Sequence, residues 1–160
     1  MTKTKKIVLI GTLGLLIALA GFVAVVTALV RGADEEPPTV TAFAGGKSLV
    51  VEPTQYCNLY LEDCVDSPVA ELQVPRGKPL QISLPGDIAD GLWRVVMVYQ
   101  LDDGRVGVDE RYHSPGESLA ITVETPEGMQ LNGIEIQQPS AVVNEQGLPL
   151  VHATWAIKTA

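Results

Sequence analysis

The distribution of apolar and polar residues divides the chain in two. From Ile7 to Val30 run 24 residues without a charge and with only two polar side chains, Thr12 and Thr27. As a helix rising about 1.5 Å per residue, this run reaches roughly 36 Å, enough to cross a hydrocarbon core of about 30 Å with some tilt. Lys3, Lys5 and Lys6 stand before it, whereas Arg31 is followed by Asp34, Glu35 and Glu36. That lysine bias predicts a cytoplasmic segment over 1–6, a single membrane-spanning helix over 7–30, and the remaining residues outside the cytoplasm. The competing reading is a cleaved signal peptide, whose apolar region is usually about 7–15 residues long and closes on a small-x-small site. The run here is longer, and no Cys follows it as a lipoprotein acylation site. Val30-Arg31-Gly32-Ala33 is a poor cleavage site and Thr27-Ala-Leu a weak alternative, so a retained anchor is expected.

After a charged, proline-ended stretch over 31–38, read as a short extended stalk, the period changes to two. Val40–Ala44 and Ser48–Glu52 flank Gly45-Gly46-Lys47, a hairpin signal. Ala70–Val74 leads into a Pro75-Arg76-Gly77-Lys78-Pro79 turn, after which Leu80, Ile82 and Leu84 alternate with polar neighbours. The strongest strand is Leu92–Leu101, with Trp93, Val95, Met97 and Tyr99 on one face and Arg94, Val96, Val98 and Gln100 on the other. Asp102-Asp103-Gly104 then turns the chain into Arg105–Tyr112. Further alternation runs through Leu119–Val123, Ile134–Ile136 and Val151–Ile157, with Pro115, Pro126, Pro139 and Pro149 in the gaps. No segment has a helical period. Seven to nine short strands over 39–160 predict an all-β domain, an immunoglobulin-like β-sandwich, with a small barrel as its structural competitor.

Charge narrows the function classes. All 19 carboxylates lie from Asp34 onward, against seven Lys and Arg after Arg31, so residues 32–160 carry a net charge of −12. A domain so acidic is repelled by phosphate backbones, and a nucleic-acid partner is not expected.

Alternation fails over Pro53–Pro68, which holds the only two cysteines, Cys57 and Cys64. Outside the cytoplasm a disulfide is the default for such a pair. The spacing lacks the His or Cys partners of a zinc site and is wider than that of a redox pair. The bridge stiffens a loop bearing Tyr56, Leu59, Tyr60 and Leu61. Those side chains either fold back to cap the sandwich or form a contact site, for which Tyr56 and Tyr60 are candidates. In the apolar run, Gly11, Gly14, Ala18, Gly21, Val25 and Ala28 recur at spacings of three and four. Small residues let helices approach closely in lipid, so Gly11, Gly14, Ala18 and Gly21 are candidate contacts with another membrane helix. The competing reading is that Gly and Ala are simply common in such helices.

Catalytic chemistry is not supported. His113 and His152 lie on different segments without a nucleophile motif. His113 sits beside turn residues, and alternation places His152 towards solvent. The carboxylate pairs Glu62-Asp63, Asp102-Asp103 and Asp109-Glu110 are adjacent in sequence, which does not make an acid–base cleft or a recognisable calcium loop. No cofactor, metal or catalytic residue is expected, and the chain is read as a non-enzyme.

Several elements together resemble an actinobacterial, corynebacterial and mycobacterial, family of membrane-anchored extracytoplasmic proteins of unknown function. They are the anchor, Tyr56-Cys57 with Asp63-Cys64, Leu72-Gln-Val-Pro-Arg-Gly77, Leu80-Gln-Ile-Ser-Leu-Pro85, and Gly91-Leu-Trp93 leading to Tyr99. They cover roughly residues 40–110 and imply no activity or site. The resemblance makes respiratory or envelope-building complexes the candidate hosts. The expected function is that of a membrane-anchored accessory or interaction subunit, touching other membrane subunits through its helix and outer domain, with lipid around the helix. The alternative is an extracytoplasmic domain that binds a lipid, glycan or peptide.

Overall fold

The computed structural model describes residues 3–31 and 36–160; the side chains described are those of 11–28 and 36–160. Residues 32–35 of the expected 31–38 stalk, and the first two residues of the expected cytoplasmic segment, lie outside the described residues. The chain forms two units, Met1–Glu36 and Pro37–Ala160.

The first unit is one helix, α1, Lys3–Arg31. Its stretch Gly11–Ala28 has a mean hydropathy of 2.2 and is long and apolar enough to cross a membrane. The Thr27 hydroxyl donates to the carbonyl of Val23 at 2.7 Å, so this polar group is satisfied within the helix itself. That arrangement suits a lipid environment, where an unpaired hydroxyl is costly.

The second unit is a two-sheet β-sandwich. One sheet has the order β2-β1-β6-β9, formed by β2 (Lys47–Val51), β1 (Val40–Ala44), β6 (Leu80–Ser83) and β9 (Ala120–Val123). The other runs β4-β3-β11-β10-β7-β8, with β4 (Val65–Asp66), β3 (Gln55–Tyr56), β11 (Pro149–Lys158), β10 (Met129–Val143), β7 (Trp93–Leu101) and β8 (Val106–His113). All these pairings are antiparallel, and β5 (Ala70–Glu71) adds a short parallel pairing to β11. The chain crosses between sheets at β2 to β3, β5 to β6, β6 to β7, β8 to β9 and β9 to β10. This is the immunoglobulin-like arrangement, with β1, β6 and β9 facing β8, β7, β10 and β11.

Period-two alternation accounts for the core. Val40, Ala42 and Ala44 of β1 and Leu80 and Ile82 of β6 meet Trp93, Val95, Met97 and Tyr99 of β7, Ile134 and Ile136 of β10, and Trp155 and Ile157 of β11. Burying each large side chain of this kind contributes about 1.5–3 kcal/mol. The Gly45-Gly46 turn joins β1 to β2 with both residues at positive φ (56° and 81°), a geometry that only glycine adopts freely.

Four details differ from the sequence reading. A short helix, α2 (Gly86–Ala89), joins β6 to β7 and inserts Ile88 and Ala89 into the core; four residues are too few to show a helical period. Strand pairs also form inside Pro53–Pro68, where β3 pairs with both β4 and β11. Pro139 lies within β10 rather than between strands, at a register shift where its missing N–H is tolerated. The same shift decides His152. Gln138 faces Ala153 while Pro139 faces Val151, so His152 is the extra residue of a bulge. It is therefore turned inward, only 8% exposed, instead of meeting solvent.

The segment between β2 and β6 thus leaves one sheet and runs along the β11 edge of the other. Besides the β3 and β5 pairings, Leu72 donates to Lys158 and Val74 to Thr159 through their backbones. The β11 edge is covered, whereas β8 forms the opposite, exposed edge and carries Asp109, Glu110 and Arg111, charges that discourage edge-to-edge association.

Candidate functional site

The richest surface lies at the end of the sandwich where β7 and β11 begin and β8 and β10 end. The strand pairings place the start of β1 there too, since Thr41 pairs with Ser83 at the end of β6. Just before β1, the Pro38 carbonyl accepts a hydrogen bond from Trp155 Nε1 at 2.8 Å, fixing where the chain enters the domain. Two structures project here, the disulfide loop and the β10–β11 hairpin.

Cys57 and Cys64 are joined in a disulfide, which closes the loop locally and does not link the two sheets. Within the ring, Asn58 organises the backbone: its Oδ1 accepts from the N–H groups of Tyr60 and Glu62, each at 2.9 Å. Leu61 and Asp63 take positive φ (65° and 52°), so the ring bends sharply on both sides of Glu62. The loop is tied to the hairpin by a bond from the Ala141 N–H to the Leu59 carbonyl, 2.9 Å. Its side chains divide. Tyr56 packs back, edge-on to Trp155 at 6.4 Å and tilted against His152 at 6.0 Å. Leu59 and Tyr60 project, 54% and 70% exposed.

Beside the loop, the β10–β11 turn is built on Asn144, whose Oδ1 accepts from the N–H groups of Gln146 and Leu148 at 3.0 and 2.9 Å. Between this turn and the outer face of β7 lies a cleft of about 410 Å³. Its walls are Leu92, Pro139, Leu148, Pro149 and Val151, and Trp93, Arg94, Tyr112, Gln137 and Asn144 complete the lining. Arg94 anchors the polar floor. Its Nε donates to Gln137 Oε1 at 2.7 Å, and Nη1 to Tyr112 Oη at 3.0 Å and Glu110 Oε2 at 3.3 Å. Its guanidinium also lies 5.8 Å from the centre of the Tyr112 ring, within cation–π range. Gln137 is in turn held by a 2.6 Å bond from its Nε2 to Glu135.

Behind the cleft, the His113 ring stacks on Trp93, 4.0 Å between centroids and 10° from parallel. Gln138 closes the inner side by donating to the Ile88 carbonyl of α2 at 3.2 Å.

Of the residues singled out from sequence, Tyr60 stands exposed on the loop and Tyr56 serves mainly as its inner support. Gly11, Gly14, Ala18 and Gly21 are exposed on α1, and a Cβ added at any of the three glycines would meet nothing within 4 Å. His113 and His152 are not brought together; each packs on a different aromatic residue. Among the described residues, no three His, Cys, Asp or Glu converge as a metal site. The cleft was missed by the sequence reading. Its one signal was an Arg at position 94 between the apolar Trp93 and Val95, on a strand otherwise rich in hydrophobes.

Fold and surface define an immunoglobulin-like sandwich that follows an apolar helix and presents a disulfide-held loop beside an amphipathic cleft. The chain belongs to the family described as Protein of unknown function (DUF2771), which matches residues 33–160, the sandwich without the helix. It is 34% identical over 137 residues to uncharacterized proteins of Mycobacterium bovis and of Mycobacterium tuberculosis, covering 81% of this chain and 82% of theirs. No solved structure matches it.

Proposed function

We propose that this protein is a non-catalytic accessory subunit, held at the membrane by α1 with its sandwich outside the cytoplasm, and that the disulfide loop is its contact with a larger membrane assembly. The observation that carries this reading is the outward display of Leu59 and Tyr60 on a loop held by a disulfide, by Asn58 and by the hairpin. Rigid apolar and aromatic side chains at a surface lose little entropy when a partner covers them. The exposed small residues of α1 offer a second contact within the bilayer.

Purification of the tagged chain in mild detergent tests the proposal. Stoichiometric co-migration with other membrane subunits is expected, reduced by Tyr60→Ala and by Gly14→Leu with Gly21→Leu. Release of a soluble form cut near Arg31, or a chain migrating alone whatever the detergent, would overturn it.

A second reading is favoured by the cleft, whose apolar walls and polar floor resemble a small-molecule site in size and character. On that reading the domain binds a ligand at the membrane surface, and the chain purifies as a free monomer carrying extracted material.

A further inference from the structure

We propose that the cleft binds a single acyl chain with a carboxylate head, the carboxylate at Arg94 and Asn144 and the chain along the hairpin wall. This rests on the ligand-binding reading and names its ligand. Several hydrogen-bonding groups of the lining remain unused. Arg94 engages Nε and Nη1, but Nη2 makes no hydrogen bond to the described residues. Asn144 spends Oδ1 on the two turn amides, which fixes its orientation and leaves both Nδ2 hydrogens unused. The Tyr112 hydroxyl accepts from Arg94 and keeps its own hydrogen. Gln137 keeps one amide hydrogen, since its oxygen accepts from Arg94 and its other amide hydrogen goes to Glu135.

Arg94, Tyr112, Gln137 and Asn144 thus each keep at least one hydrogen to donate, one of them on a cation, and together they favour an accepting, preferably anionic, ligand head. A glycan fits poorly, because its hydroxyls must also donate. A peptide added as a strand is excluded at the floor, since β7 and β10 are interior strands paired on both sides. The remaining walls, Leu92, Pro139, Leu148, Pro149 and Val151, are aliphatic and suit a hydrocarbon tail. Glu110 shares Arg94 through a 3.3 Å contact and is half exposed, so an incoming carboxylate competes with a weak, solvated partner rather than a buried one.

The test is a titration of the full chain, kept soluble in amphipol, with dodecanoate, with dodecyltrimethylammonium and with chitotetraose. It is followed by calorimetry and by tryptophan emission, to which the cleft-lining Trp93 contributes beside Trp155. Saturable one-to-one binding of dodecanoate is expected, at least about tenfold tighter than the cationic amphiphile although the latter's tail is one carbon longer, since only the carboxylate pairs with the donors. Arg94→Gln should abolish that preference. Should that variant unfold, Asn144→Asp retains the oxygen that holds the turn while removing the donors, and Leu148→Asp removes an exposed part of the wall. Each should weaken dodecanoate binding by about tenfold or more at unchanged melting temperature. Equal binding of both head groups, or wild-type affinity in folded Asn144→Asp and Leu148→Asp, would overturn the proposal. Binding of chitotetraose without dodecanoate would overturn the acyl assignment while sparing the ligand-binding reading. Silence towards all three would remove both.

Discussion

Cys57 and His152 hold each other twice: the Cys57 N–H donates to the His152 carbonyl at 2.8 Å, and His152 Nδ1 lies 2.9 Å from the Cys57 carbonyl. A carbonyl oxygen only accepts, so Nδ1 carries the hydrogen. The pair fastens the first residue of the disulfide loop to β11. Replacing His152 by Ala keeps the backbone bond but leaves the Cys57 carbonyl without its side-chain donor. A loss of about 1–3 kcal/mol is expected in urea unfolding, with the loop amides around Tyr60 exchanging faster than those of β7.

Reduction of the Cys57–Cys64 disulfide should cost less than global unfolding. For a ring of this size, chain entropy gives roughly 2.5 kcal/mol. The β3–β11 pairing and the core are made by contacts outside the ring and should persist without the bridge. A chain treated with dithiothreitol should retain its far-ultraviolet β signal and melt at a lower temperature.

Tyr56 and Tyr60 should behave oppositely although four positions apart in one loop. Tyr56 is half-buried against Trp155 and His152, so Tyr56→Ala should lower stability by about 2–4 kcal/mol. Tyr60 is 70% exposed, and Tyr60→Ala should leave the melting temperature within the small range typical of surface changes. If the loop is a contact, only the Tyr60 variant loses partner capture at full stability.

Tyr99 gives an alkaline signature. Burial pushes its phenol up; Arg111 opposes this and Asp109 adds to it. The folded state therefore holds the proton more tightly than the unfolded state, whose phenol titrates near about 10. Its contribution is intact below that value and is lost as pH rises through the folded value. Stability measured from pH 9 upward should fall, and Tyr99→Phe should shallow that fall.

Much of this architecture was legible in the order of the residues. The uncharged run from Ile7 to Val30 specifies a helix able to cross a membrane, because backbone in lipid must bond to itself. Alternation on Leu92–Leu101 put Trp93, Val95, Met97 and Tyr99 on one face, which is the face buried in the core, and Gly45-Gly46 marked a hairpin turn, whose two residues take positive φ. These features depend on neighbours in the chain, and local periodicity records them. The inward turn of His152 does not, since it arises where β10 and β11 slip by one residue. Nor does the cleft, because its lining spans residues 92 to 151 and meets only when β7, β8 and the β10–β11 hairpin pair. Sequence set which faces are apolar; tertiary structure decided which distant donors share one space, because register and bulges are properties of strand pairs and not of any single strand.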